Sequence, residues 1–295
     1  MVDRSKKFQV FAHLIMILLS LLCLLPLILL FVSSITDEGT LIRNGYNFFP
    51  KKIDFTAYQY LLNDSSKIVK AYATTIFVVV VGSTSNVILT TLLAYPLSRK
   101  DLPGRNIFSF LLFFTMIFGG GLVPTYIMWT QIFHIRDTIW ALIVPGLLLN
   151  AFNVIMMRTY FNSMIPDAII EAARIDGATE MTIIRKVVLP MSKPIMATIG
   201  LLVSLAYWND FMNGFYYLRS QDHFTIQVLL NKMLLDAQFL QQYAQSGMSA
   251  NINMHLPSTA LRMAVAVLGA LPMLVAYPFF QKFFVKGIVI GGVKG

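Results

Sequence analysis

Apolar residues fill this chain in runs of membrane length, and the polar stretches between them are mostly short. Phe11 to Ser34 is nearly unbroken. At 1.5 Å per residue, a helix over it is long enough to cross a bilayer core of about 30 Å. Pro26 within it is tolerated in a membrane helix. The run also exceeds the usual apolar core of a secretory signal, so it reads as a span and not as a cleaved leader. Comparable runs cover about 71–98, 107–131, 138–160, 194–218 and 259–280. The pattern predicts an all-α polytopic membrane protein with six transmembrane helices in one transmembrane domain over 1–295.

One stretch breaks the pattern. Residues 164–190 carry Glu171, Arg174, Asp176, Glu180, Arg185 and Lys186 between two membrane-grade runs, and they are too polar to sit in lipid. Pro166 suits a first helical turn and Asp167 its positive end, while Gly177 suits a C-terminal stop. A second short helix begins at about Thr179. Ile183, Ile184, Val187 and Val188 recur at helical spacing on one face, Arg185 and Lys186 lie on another, and Leu189-Pro190 is expected to end it. A pair of helices therefore hangs off the membrane here, shaped to meet a soluble partner.

Several spans carry interruptions. Gly119-Gly120-Gly121 and Pro124 predict a kink in the third, and Pro145-Gly146 a break in the fourth. Ser83, Asn86 and Thr90 share a face of the second span, a pattern that favours helix packing over a pore lining. The fifth holds Trp208, Asn209, Asp210 and Asn213, and a carboxylate at this depth should face protein or water. These four are the candidates for a solute pathway, with Asp210 alternatively a structural partner for Arg262. An outer segment, 219–258, has helical apolar spacing from Thr225 to Leu240 and a polar, loop-like part from Gln241 to Pro257.

Composition agrees with a membrane protein: 57% of residues are apolar and 13% charged, where soluble domains have about 25% charged. The net charge of +9 raises the question of a nucleic-acid partner, and its distribution answers it. Segments 1–10, 99–106, 158–193 and 282–295 hold 14 of the 23 basic residues; the segments on the other side hold 8, and Arg262 lies in the last span. That is the positive-inside asymmetry. It places both termini in the cytoplasm and calls for lipid, not nucleic acid. The single cysteine, Cys23, excludes an intrachain disulfide. The histidines at 13, 134, 223 and 255 have no metal-ligand spacing. No phosphate-cradling P-loop, zinc-protease or nucleophile-elbow motif is present. No catalytic residue, metal or cofactor is expected, and energy for any transport must come from another subunit.

The spacing of Glu171-Ala172-Ala173, three residues, Gly177, nine residues and then Val187-x-Leu189-Pro190 resembles the EAA loop of binding-protein-dependent ABC-importer permeases. Val187 stands where the family usually has isoleucine. The resemblance extends over the chain from about residue 8. Tyr207 to Gly214 and the C-terminal Val293-Lys294-Gly295 are similar to the MalG-type carbohydrate branch and its LplC/YtcP-like group. The resemblance implies a type I ABC importer permease fold and a multi-pass subunit of the bacterial cytoplasmic membrane. It also implies a heterodimer with a second homologous permease, two ABC ATPase subunits, an extracytoplasmic solute-binding protein and an oligosaccharide substrate. Glu171, Ala172, Ala173, Asp176, Gly177, Leu189 and Pro190 then form the ATPase-coupling element, and the outer loop within Gln241 to Pro257 is where the binding protein would be reached. The alternatives are an ABC permease for a non-sugar solute and an ATP-independent carrier or channel.

Overall fold

The computed structural model describes residues 6–63, 65–245 and 258–287. Val293 to Gly295, and the outer loop from residue 246 to 257, lie outside the described residues. In chain order α1 is Lys6–Ser34, α2 Glu38–Asn44, α3 Thr56–Asn63, α4 Ser65–Ser98, α5 Arg105–Ile117, α6 Leu122–Ile127, α7 Trp140–Ile143 and α8 Ala151–Met164. After them come α9 Asp167–Ile175, α10 Glu180–Ile183, α11 Leu189–Met191, α12 Lys193–Asn209, α13 Met212–Tyr217, α14 Ile226–Gln245 and α15 Ser258–Gly287. π-helical turns extend α6 over Met128–Ile132 and join α10 to α11 over Ile184–Val188. Among the described residues the only strand-like pairing is one antiparallel bridge, Thr36 to Ile53.

The chain divides into two compact units. The first combines residues 1–68 with 230–272. Its α1 is apolar all round, and its side chains are exposed over nearly the whole length, a surface that is stable only against lipid or another apolar partner. Polar groups organise the segment beyond α1. Asp37 accepts from the Thr40 N–H at the start of α2 and pairs with Lys52 at 2.9 Å. Ser34 and Tyr58 share a hydrogen bond of 2.8 Å. The Glu38 carboxylate accepts from the N–H groups of Thr259 and Ala260 at 2.8–3.1 Å, capping the first turn of α15 from far away in sequence.

The second unit, residues 69–229 and 273–295, holds the breaks. α4 is an unbroken 34-residue helix. The third span bends by 110° between α5 and α6, across the glycine triplet that predicted a kink. The fourth is not a continuous helix over 138–160: α7 ends at Ile143, residues 144–150 are non-helical, and α8 begins at Ala151. Proline at 145 removes an N–H donor, and Gly146 takes φ +72°, a left-handed turn that leaves the helix path.

Carbonyls freed within a membrane segment need donors from the protein, and three side chains supply them. Tyr207 donates to the Ile143 carbonyl at 2.7 Å, Asn213 to Pro145 at 3.0 Å and Asn86 to Leu147 at 2.7 Å. Thr90 donates to the Asn86 carbonyl oxygen at 3.2 Å, which fixes the amide's orientation. The polar stripe of α4 is fully buried at Asn86 and Thr90, so it is packing and hydrogen bonding, not a pore wall. The fifth span also breaks. α12 stops at Asn209, and Asp210 accepts from the N–H groups of Met212 and Asn213 at 3.1 and 3.2 Å as α13 begins.

Tyr207 reaches Ile143 across Gly82, where an added Cβ would run into its ring. Gly82→Ala should therefore displace the ring and cost about 1–3 kcal/mol, the range for overpacking a filled core. Gly200→Ala, whose Cβ would meet Val87 at an ordinary 3.8 Å, should be close to neutral. Thermal unfolding of the two variants in the same detergent checks this. Equal melting temperatures would mean that the contact does not hold the break.

Candidate functional site

α9 is short, and both its ends are closed. Pro166 precedes it in extended geometry, φ −60° and ψ 133°. At its far end Gly177 takes φ +79°. There the Gly177 N–H donates to the Arg174 carbonyl and the Ala178 N–H to that of Ala173, each at 3.0 Å. This is a Schellman-type close, which needs a residue tolerant of the left-handed region. No atom lies within 4 Å of a Cβ added at Gly177, so the glycine answers backbone geometry and not crowding.

The two faces of α9 differ. Ile170 is 2% exposed and anchors the helix inward. Ala168, Glu171, Ala172, Ile175 and Asp176 are exposed, and Ile175 is 86% exposed. Positions 168, 172 and 175 succeed one another up a single helical stripe. They form a low apolar ridge with Glu171 and Asp176 beside it.

Three ties hold this elbow to the end of α4 and the turn after it. Asp167, in the first turn of α9, pairs with Lys100 at 3.0 Å and with Arg99 at 3.4 Å. Arg174, in the last turn, pairs with Asp101 at 2.9 Å and with Glu180 of α10 at 2.8 Å. Glu180 in turn accepts from the Tyr95 hydroxyl at 2.6 Å. Arg99 is almost fully buried and lies 5.5 Å from the centroid of the Tyr95 ring, close enough for cation–π attraction. Between these groups lies an open cavity of about 380 Å³, lined also by Leu92, Pro96, Leu102, Pro103 and Ile184. Hydrogen bonding to Arg174 holds the Asp101 carboxyl below its usual range. Lys100, by hydrogen bond and charge, does the same for Asp167. The Arg174 guanidinium is pushed up by Asp101 first and Glu180 second. Exposed pairs of this kind contribute little singly; here they share residues and fix one geometry.

The second helix of the pair buries Ile183 and Val188 and exposes Arg185 and Lys186. The helix runs through Leu189-Pro190 and stops one residue later, at Met191, within the uncertainty of a helix end. The wide turn over Ile184–Val188 accommodates the N–H that Pro190 lacks. The helix continues to Met191, and the chain then turns by 80° into α12 at buried Ser192.

Of the predicted coupling residues, Glu171, Ala172, Asp176 and Gly177 are exposed, Ala173 and Leu189 are half-buried, and Pro190 is exposed. The residues that lock the elbow, Tyr95, Arg99, Lys100, Asp101, Asp167, Arg174 and Glu180, share no sequence signal that marks them as a set. Of the pathway candidates, Trp208 is buried with its ring 6.4 Å from that of Tyr72. Asn213 is engaged with the Pro145 carbonyl, Asp210 caps α13, and Asn209 is exposed, its amide donating to Leu205 at 3.0 Å.

Comparison with known proteins places this geometry. Residues 86–290 match the family described as "Binding-protein-dependent transport system inner membrane component". The chain is 34% identical to the Bacillus subtilis polygalacturonan/rhamnogalacturonan transport system permease protein YtcP over 99% of its own length and all of that protein. It is 33% identical to Protein LplC of the same organism over 92% of this chain and 90% of the relative. A solved structure, a bacterial ABC transporter involved in the import of the acidic polysaccharide alginate, superposes with a TM-score of 0.77 at 33% identity, covering 96% of this chain and 99% of that one. The chain belongs to the binding-protein-dependent inner-membrane transport components: it is an all-α ABC-importer permease, a transport subunit and not a catalyst.

The depressed Asp101 and Asp167 values fix the pH response of the elbow. A carboxylate whose folded pKa lies below its unfolded value contributes stability above the unfolded value, about 3.9 for Asp, and loses it as pH falls through the folded one. Amide exchange over 167–183, corrected for the intrinsic rate, should stay flat from about pH 5.5 to 8 and accelerate only below about pH 4. A step near neutrality would show that other groups hold the elbow.

Proposed function

We propose that this chain is one of two permease subunits of a type I ABC importer that carries a polysaccharide-derived oligosaccharide inward across the bacterial cytoplasmic membrane. A second homologous permease completes a heterodimer. Two ABC ATPase subunits supply the energy, and an extracytoplasmic binding protein delivers the sugar. Both termini lie in the cytoplasm, the side on which the basic residues collect. The sugar class is supported by the relatives, whose names specify polygalacturonan, rhamnogalacturonan and alginate transport.

The observation that carries the reading is the exposed ridge of α9. An isoleucine that is 86% exposed, on a helix locked at both ends, gains nothing in the isolated subunit. Against an ATPase groove it is an anchor, Ala168 and Ala172 allow close approach, and Glu171 supplies a charged contact at the edge. When nucleotide-driven closure moves that groove, α9 moves with it. The ties from Asp167 and Arg174 pass the displacement to α4, and the covalent links through α8 and α12 pass it to the spans, as rigid-body switching of access requires. Along the solute pathway, Asn209 and the partly exposed Asp210 offer polar contact, while Trp208 and Asn213 shape the wall behind them.

Reconstitution with the partner subunits in vesicles tests this. Glu171→Lys, Gly177→Asp and Ile175→Asp should each lower sugar uptake and binding-protein-stimulated ATP hydrolysis together. A loss of about 1.4 kcal/mol at the docking surface already amounts to tenfold. The quantity of inserted permease should not change. Unaltered uptake in stably inserted variants would remove α9 from the coupling path and place the ATPase contact elsewhere on the chain.

A further inference from the structure

A second cluster of charge lies apart from the coupling elbow, where α5 packs on α8. Arg105 opens α5 and Arg158 lies on the facing side of α8. Arg105 spends one N–H, its Nε, on the Leu97 carbonyl at 3.0 Å. Arg158 donates from Nη1 to the Ser109 hydroxyl at 3.1 Å, and that hydroxyl donates to the Arg105 carbonyl at 2.7 Å. The Arg158 Nε is buried and has no hydrogen-bond partner among the described residues. Neither guanidinium forms an ion pair among the described residues.

Two neighbouring cations at the edge of an apolar segment, with donors left over, need an anion. Phosphate is the oxyanion whose geometry suits two planar guanidinium forks. The surroundings decide what the phosphate is attached to. Within two turns of Arg105, Ile107, Phe108 and Leu111 are 51–65% exposed, on a helix that reads as part of a membrane span. A ligand held here meets hydrocarbon on one side and the basic turn on the other, as a phospholipid does and a soluble anion does not.

We propose that Arg105 and Arg158 form a binding site for the phosphodiester headgroup of an anionic phospholipid, whose acyl chains lie along the exposed face of α5. The site owes nothing to the sugar or the ATPase. It makes the packing of α5 on α8 dependent on the lipid, because the bound headgroup neutralises two charges that otherwise repel across the contact.

The assembled transporter, purified in detergent and stripped of lipid, provides the test. Phosphatidylglycerol, phosphatidylcholine and inorganic phosphate are titrated separately, reading the unfolding midpoint and, by mass spectrometry of the intact complex, the lipid retained. Phosphatidylglycerol should raise the midpoint saturably, and the other two should not at matched concentration. Arg105→Gln with Arg158→Gln should weaken the apparent affinity roughly 10- to 30-fold, the scale expected for two basic side chains at a lipid surface. Arg105→Lys with Arg158→Lys should lose less, and Arg43→Gln with Lys51→Gln, which alters net charge equally, should lose nothing. An equal phosphatidylglycerol response in the double-glutamine and wild-type complexes overturns the proposal. So does equal protection by inorganic phosphate. If the double-glutamine chain does not assemble, the wild-type titration decides: an unsaturable response, or one shared with phosphatidylcholine, refutes the site.

Discussion

Inside a bilayer a backbone carbonyl that leaves a helix must find a donor within the protein. That constraint shapes the second unit. Once Pro145 and Gly146 open the chain over 144–150, the carbonyls of Ile143, Pro145 and Leu147 point to three donors on three other elements, Tyr207, Asn213 and Asn86. These bonds set how close α4 and α12 must lie, and hence why residue 82 is glycine beneath the Tyr207 ring. They also draw α13 against the break through Asn213, and α13 exists as a separate turn because Asp210 caps it. One interruption in one span is thus satisfied by residues spread over about 130 positions of sequence.

The elbow over 164–190 solves a different problem, that of holding a short helix rigid while leaving its outer face bare. Few residues are buried there: Ile170 under α9, and Ile183 and Val188 under the next helix. Rigidity comes from end closure and shared ion pairs. The Schellman-type bonds at Gly177 fix the angle between the two short helices, and Arg174 sits at that corner with a carboxylate on either side. Polar ties leave the apolar ridge free, whereas a larger hydrophobic base would have enlisted Ala172 or Ile175 in packing.

Much of this was legible in the chain. The apolar runs gave the helices their approximate places, the glycine triplet and Pro145-Gly146 marked breaks that exist, and the spacing of Ser83, Asn86 and Thr90 put them on one buried face. The polar stretch at 164–190 announced itself by charge alone, and its glycine by position. Other features carried no local signal. Pro145 shows that a helix is disturbed, but not that seven residues unwind, because that depends on donors from distant elements. Asp210 read as a charge inside a span; it is the cap of a new helix, which only the backbone path reveals. Arg174 has partners 73 and 6 residues away, at Asp101 and Glu180, and neither spacing matches the helical period of the segment in which it lies. Leu189-Pro190 marked the stop to within one residue, at Met191, but gave no sign of the π-helical turn before it.

α4 ties the two problems together. Asn86 and Gly82 meet the unwound segment and the aromatic ring that secures it, while Tyr95 and Arg99, on and just past the last turns of the same helix, meet the elbow. Nine residues separate Asn86 from Tyr95, about 14 Å along a helix axis. α4 is unbroken over that interval, so an axial or rolling displacement imposed at Tyr95 and Arg99 arrives at Asn86 with little lost to bending. The Asn86–Leu147 bond lies between a rigid rod and a stretch with no helical bonds of its own, and it is there that the displacement must be taken up. On the proposed coupling role, a force entering through α9 reaches the packed break in the fourth span through α4 as well as through α8. On that role, the segment whose carbonyls need outside donors is also the one that α4 and α8 both reach.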